Sequence, residues 1–205
     1  MAFQSNELDQ GIAYWRRTNW PQDFHNAFYQ HITEIREDGL FNQQWWDAFL
    51  PILRQWRAHR PRSSAYLTAR AQNRFDALNN SWNQNIVPVI GQDIEAIEWL
   101  SIAPFVRLVK EIKNVQSPVF SSKLCHFLAP HIFPVVDNAA MGNPFDSYET
   151  YFNAGRQEWC ETDNDTKGIL TDLIINEIGP NMVLNYPVKC KVIELCLIGR
   201  NQNNG

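Results

Sequence analysis

The sequence has few cysteines, and they are poorly placed for metal binding: four, at 125, 160, 190 and 196, with no CxxC pair and no histidine at zinc-ligand spacing. Cys125, Cys190 and Cys196 fall in apolar patterns, so reduced, structural thiols are expected. No apolar run approaches the roughly 20 residues that span a bilayer. The segment MAFQSNELDQ lacks both a basic n-region and an apolar h-region, so no secretory signal is expected and the cytoplasm is the expected compartment. Strand-like alternation is almost absent. Also missing are GxSxG, GxxxxGK[ST], HExxH and a paired-carboxylate glycosidase signature, which argues against serine hydrolases, nucleotide hydrolases and zincins. A net charge of -4 argues against a histone-like protein but leaves room for a local basic surface.

What the chain does have is ordinary globular chemistry: 44% hydrophobic and 20% charged residues, with eight Trp. Apolar residues recur at helical spacing in most segments, giving roughly eight or nine helices. Pro21 opens a helix over 21–38 and Gly39 ends it. A second helix covers 42–59 with Pro51 inside it, and Ser63 or Ser64 caps a third through 78. Asp93 is expected to cap a helix that Pro104 interrupts before it resumes to 112. A short helix over 121–128, capped by the serine pair, leads to an extended 132–136 and a new helix start at Asp137. Residues 142–165 read as the least regular part, and the last helices cover 166–178 and 187–199. The fold class is all-α, in a single domain over 1–205.

Three groups of residues offer chemistry. Arg54, Arg57, Arg60, Arg62, Arg70 and Arg74 crowd into residues 54–74. Such a stripe suits phosphate, and equally suits a solvated helix face paired with the acidic 34–38 and 158–165 segments. The five histidines, at 25, 31, 59, 126 and 131, lack carboxylates at helical spacing, so no metal is expected. The third group is residues 117–138, SPVFSSKLCHFLAPHIFPVVDN. Lys123 sits there near a helix start, where the macrodipole does not favour a cation. Pro130 and Pro134 force an extended return that delivers Asp137. A helix and its return can place Lys123 and Asp137 on opposite walls of one cleft; on local chemistry alone they also read as a surface lysine and an N-cap.

This stretch is similar to the core of the helix-hairpin-helix base-excision DNA glycosylases, where a helix carries a lysine near its start and a Pro-Val-Asp segment follows with the catalytic aspartate. Ser122-Lys123-Leu124 matches the lysine position. Pro134-Val135-Val136-Asp137 matches the aspartate segment with one extra residue, and Asn114 to Val119 stands in place of an LPGVG-type hairpin. The likeness is greatest to small prokaryotic proteins of this kind, including those acting in phage defence on modified cytosines. The resemblance implies two small helical lobes around a cleft, double-stranded DNA as partner, and excision of a flipped, modified base. It implies that Asp137 is catalytic and that Lys123 is either a Schiff-base nucleophile or a phosphate contact. It implies DNA contacts from Ser121, Ser122, Arg57, Arg60 and Arg62, and a base pocket drawing on Trp45, Trp46, His126 and Asn138. The cysteine spacing differs from the iron–sulfur loop of some members, so no cluster, no metal and no other cofactor is expected. A non-catalytic nucleic-acid-binding or protein-interaction module on the same scaffold is the alternative.

Overall fold

A computed structural model describes residues 2–18, 29, 41–114, 118–142, 144–180 and 182–203. Among these residues there are nine α-helices and no strands. The expected helix over 21–38 lies outside the described residues apart from Tyr29, as do His25 and His31.

Helix α1, Ser5–Thr18, was not visible in the pattern of the sequence. Its buried stripe is short, Leu8, Gly11 and Ile12, and a glycine at its centre weakens any helical signal. That glycine is there for packing. Helix α1 crosses the C-terminal helix α9, Val188–Asn203, so closely that a Cβ on Gly11 would lie 2.0 Å from the Leu195 carbonyl oxygen. A Cβ on Gly199 would lie 1.8 Å from the Glu7 carbonyl oxygen. Residues 191–199 of α9 are all buried, so α9 is the central helix. Tyr148–Glu161 forms α7 and Asn164–Ile178 forms α8; both pack on α9. A capping box between Ser147 and Thr150 starts α7 inside the stretch expected to be irregular.

A second group of helices neighbours one another: α2 Gln43–Gln55, α3 Ser64–Gln72, α4 Phe75–Ser81 and α5 Trp99–Lys113. The expected third helix is two, because the chain turns at Asn73 and Arg74. A π-helical turn, Trp82–Ile86, and 3-10 turns at Val87–Val89 and Ile94–Ala96 lead into α5. Asp93 does not cap a helix by its side chain; its carboxylate binds Lys189 and faces His131. Pro104 does not interrupt α5. Pro104 lacks the N–H that would bond to the Leu100 carbonyl, and both Leu100 and Pro104 are exposed residues.

Helix α6, Val119–Leu128, touches both groups through α5 and α7. It begins at Val119, so Ser121 and Ser122 lie inside it rather than capping it. Asn114, in the left-handed conformation, closes α5 just before this connection. No helix begins at Asp137. Residues 138–142 form a turn, and the next helix waits until Tyr148. Among the described residues no helix is long and apolar enough to cross a membrane.

Candidate functional site

The extended return after α6 has no sheet to satisfy its backbone, and side chains take that part. Nδ1 of His126 meets the Phe133 carbonyl at 2.6 Å. The hydroxyl of Tyr148 donates to Pro134 O at 2.9 Å, and that of Tyr151 to Val135 O at 2.6 Å. The Val136 N–H donates to Ser122 Oγ at 3.1 Å. Burial pushes both phenols well above their ordinary pKa, so they remain donors. Burial, with Lys191 nearby, holds His126 well below its ordinary pKa. A neutral ring facing a carbonyl through Nδ1 carries its proton there, leaving Nε2 to accept from Tyr29 Oη at 2.8 Å.

This mount delivers Asp137. The residue is buried, and its Oδ1 accepts the Ala140 N–H at 3.2 Å while its carbonyl accepts the Met141 N–H at 2.9 Å. The capping chemistry expected of Asp137 is therefore present, but it closes a turn. Asn201 of α9 holds that turn from the other side by donating to Ala140 O at 3.0 Å. Asn138 is partly exposed, yet its Oδ1 is buried and has no hydrogen-bond partner among the described residues.

Lys123 is buried, not a surface lysine. Its ammonium donates to the Trp56 carbonyl at 3.1 Å and lies 5.5 Å from the Trp56 ring centre. Lys113, at the end of α5, donates to Ala58 O at 2.6 Å. Two ammonium groups thus seat on carbonyls just past the C-terminus of α2, the end of a helix that favours cations. Burial, and then the charges of Lys123 and Arg62, lower the Lys113 pKa to about 8. The Ser122–Val136 bond ties Asp137 to the same end of α6 as Lys123.

The loop these lysines hold is the basic one. Arg57 and Arg60 are exposed on it, Arg54 is exposed on the last turn of α2 just before it, and Arg57 has a positive φ of 55°. The arginine stripe divides. Arg62 lies over the Tyr66 ring, Arg70 donates to Glu111 O, and Arg74 pairs with Glu111. Arg54 and Arg60 instead border an open depression of about 470 Å³ with Pro51, Gln55 and His59.

The remaining expected residues sit elsewhere. Trp45 and Trp46 belong to the core around α2; Trp46 Nε1 donates to Thr68 Oγ1 at 2.9 Å, and Trp45 packs against Phe41 and Phe49. His126 is fully buried in the mount. The Ser121 and Ser122 hydroxyls donate back to Pro118 O and Val119 O, the usual bond of a serine inside a helix. Ser121 also borders a groove of about 190 Å³ with Arg107 and Lys110 of α5 and Tyr148 of α7. A half-enclosed cavity of about 290 Å³ lies at the far end of α6, lined by Asp93, His131 and Ile132 among others. At 1.5 Å per residue, the five residues from Lys123 to the end of α6 at Leu128 put roughly 7.5 Å of helix between them.

Sequence reasoning did not identify Lys113, Tyr148, Tyr151 or Asn201. The two tyrosines carried a detectable signal, since their i, i+3 spacing puts both on one helix face. Lys113 and Asn201 carried none. Three cysteines, 125, 190 and 196, are buried free thiols whose pKa burial raises, and Cys160 is exposed and free. Among the described residues no group of three metal-ligating side chains occurs. No known protein family, no curated protein and no solved structure matches this chain.

Proposed function

We propose that the chain is a DNA N-glycosylase in which Asp137 drives release of a flipped, modified base. The observation that carries this reading is a convergence at one end of α6. A buried carboxylate on a side-chain-clamped mount, a buried lysine and an arginine-bearing loop all belong to that end. The α5–connector–α6 order then corresponds to the helix-hairpin-helix, with the two groups of helices as lobes. The side-chain Oδ1 of Asn138, buried beside Asp137 and without a partner among the described residues, is an acceptor left for a ligand donor.

In the reaction the C1′–N bond breaks and its electron pair leaves with the base. Ionised Asp137 stabilises positive charge on the deoxyribose. A water oxygen bonds to C1′, and its proton passes through the carboxylate to solvent. A fixed mount suits such a role, because a carboxylate held in place needs little reorganisation as charge develops. Lys123 reaches C1′ as a nucleophile only by leaving the Trp56 carbonyl and losing its proton. Incubation with genomic DNAs of differing modification, followed by mass spectrometry of released bases, is the test. Asp137→Asn is expected to keep fold and DNA affinity and to release no base; undiminished release removes Asp137 from the mechanism. Borohydride trapping of a covalent DNA adduct decides the part played by Lys123.

The seating of Lys113 and Lys123 on carbonyls beyond α2 favours a second reading, a non-catalytic nucleic-acid-binding module in which both are structural caps. It predicts salt-dependent DNA binding with no product from any substrate.

A further inference from the structure

We infer that Arg54, His59 and Arg60 form a seat for one phosphate group, and that His59 takes up a proton when the seat fills. The seat is a depression walled by these three side chains with Pro51 and Gln55. Arg54 leaves the last turn of α2, and His59 and Arg60 lie in the loop that follows. Among the described residues the charges that reach His59 are all of one sign: Arg60, then Arg54, then Lys113 from α5 behind the loop. Burial of the ring, and after it these charges, lower the His59 pKa. Its Nδ1 is buried and has no hydrogen-bond partner among the described residues. Arg62, Arg70 and Arg74 face Tyr66 and Glu111 instead, so the seat uses a subset of the arginine stripe.

Like charges gathered together repel one another, and an anion placed among them relieves that repulsion. Guanidinium forks match phosphate oxygens, and a doubly protonated imidazole adds a third donor to the same group. The proton linkage has a definite sign. The empty seat holds the His59 pKa below its ordinary value, and a bound anion raises it. The filled state therefore binds more protons, and affinity increases as pH falls between the two pKa values. A one-unit rise in the His59 pKa corresponds to about tenfold tighter binding at the acid end. The anion chemistry stands without the glycosylase reading; identifying the phosphate as one in a DNA backbone rests on that reading.

The experiment follows the His59 ring resonances of the full chain by NMR against pH, alone, with inorganic phosphate, and with a short undamaged duplex. Duplex affinity is measured across the same pH range for wild type, His59→Gln and Arg54→Gln, with urea unfolding confirming that both variants fold. Both ligands are expected to raise the His59 pKa, and Arg54→Gln to abolish most of that rise. Duplex affinity should tighten up to about tenfold toward low pH in wild type and stay flat in His59→Gln. A His59 titration that neither ligand moves overturns the seat, as does identical pH dependence in wild type and His59→Gln. Movement by inorganic phosphate alone supports the seat and assigns it to a free phosphate group. Asp137-dependent base release with His59 unmoved sinks only the seat, and a responsive His59 with no base release from any DNA sinks only the glycosylase reading.

Discussion

Tyr151→Phe tests the mount by removing a single oxygen. The ring is fully buried, so the phenylalanine fills the same space and creates almost no cavity. What disappears is the 2.6 Å bond to the Val135 carbonyl. A buried acceptor left without its donor costs about 1–3 kcal/mol. Tyr148→Phe removes the bond to the adjacent Pro134 carbonyl, from a ring that is 5% exposed, and is expected to cost a similar amount. The double variant is expected to cost less than the sum, since neighbouring carbonyls on one short segment loosen together. With a urea m-value of about 2 kcal/mol per M, a loss of about 2 kcal/mol moves the unfolding midpoint by about 1 M. Urea unfolding followed by tryptophan fluorescence reads this directly. In the glycosylase assay the folded variants should also release base more slowly, because Asp137 is then held less firmly. If both single variants lose less than about 0.5 kcal/mol, within the range of neutral surface changes, the tyrosine hydroxyls do not hold the return and the reasoning fails.

Gly11→Ala and Gly199→Ala drive a methyl into backbone at the α1–α9 crossing and should cost about 1–3 kcal/mol. Gly168→Ala, in α8 with nothing near its Cβ, should gain up to about 1 kcal/mol in helix propensity; opposite signs in urea midpoints are the check. Lys113 has a folded pKa of about 8 against an ordinary lysine value of 10.5, so the unfolded chain binds more protons between those values and stability rises with pH there. Unfolding midpoints should climb between pH 8 and about 9.5, and Lys113→Met should remove that climb, below the range in which tyrosines titrate. Arg200 binds the carboxylates of Glu7 and Glu158 with bonds as short as 2.7 Å, tying α9 to α1 and α7. Arg200→Met leaves two partly buried acids facing each other and should cost about 3 kcal/mol, read as a lower thermal midpoint at pH 7.

The helical class was legible because it depends on local periodicity. The apolar stripes of α2, α5 and α6 announce themselves at i, i+3 and i+4. The helices missed or misjudged failed for physical reasons. Helix α1 buries a glycine where a larger apolar residue would have marked the stripe, and α7 lies next to Gly142 and Pro144. Pro104 read as a break because sequence does not show that it falls on the exposed side of α5.

Around the site the division is sharper. The residues of 117–138 directed attention to Asp137, and the proline-forced return is present as expected. The sequence could not show that the return is held by hydroxyls from α7, a histidine from α6 and, beyond it, an asparagine from α9. Nor could it show that Lys123 points at the end of α2, or that Arg54 and Arg60 part company with Arg62, Arg70 and Arg74. Periodicity, turn residues and capping act over a few residues, so the chain alone determined which segments are helical and where the return begins. Burial, the partners of buried polar groups and the convergence of charge depend on segments far apart in the chain. Those were decided only when α6, α7 and α9 packed around one extended stretch that has no strand to pair with.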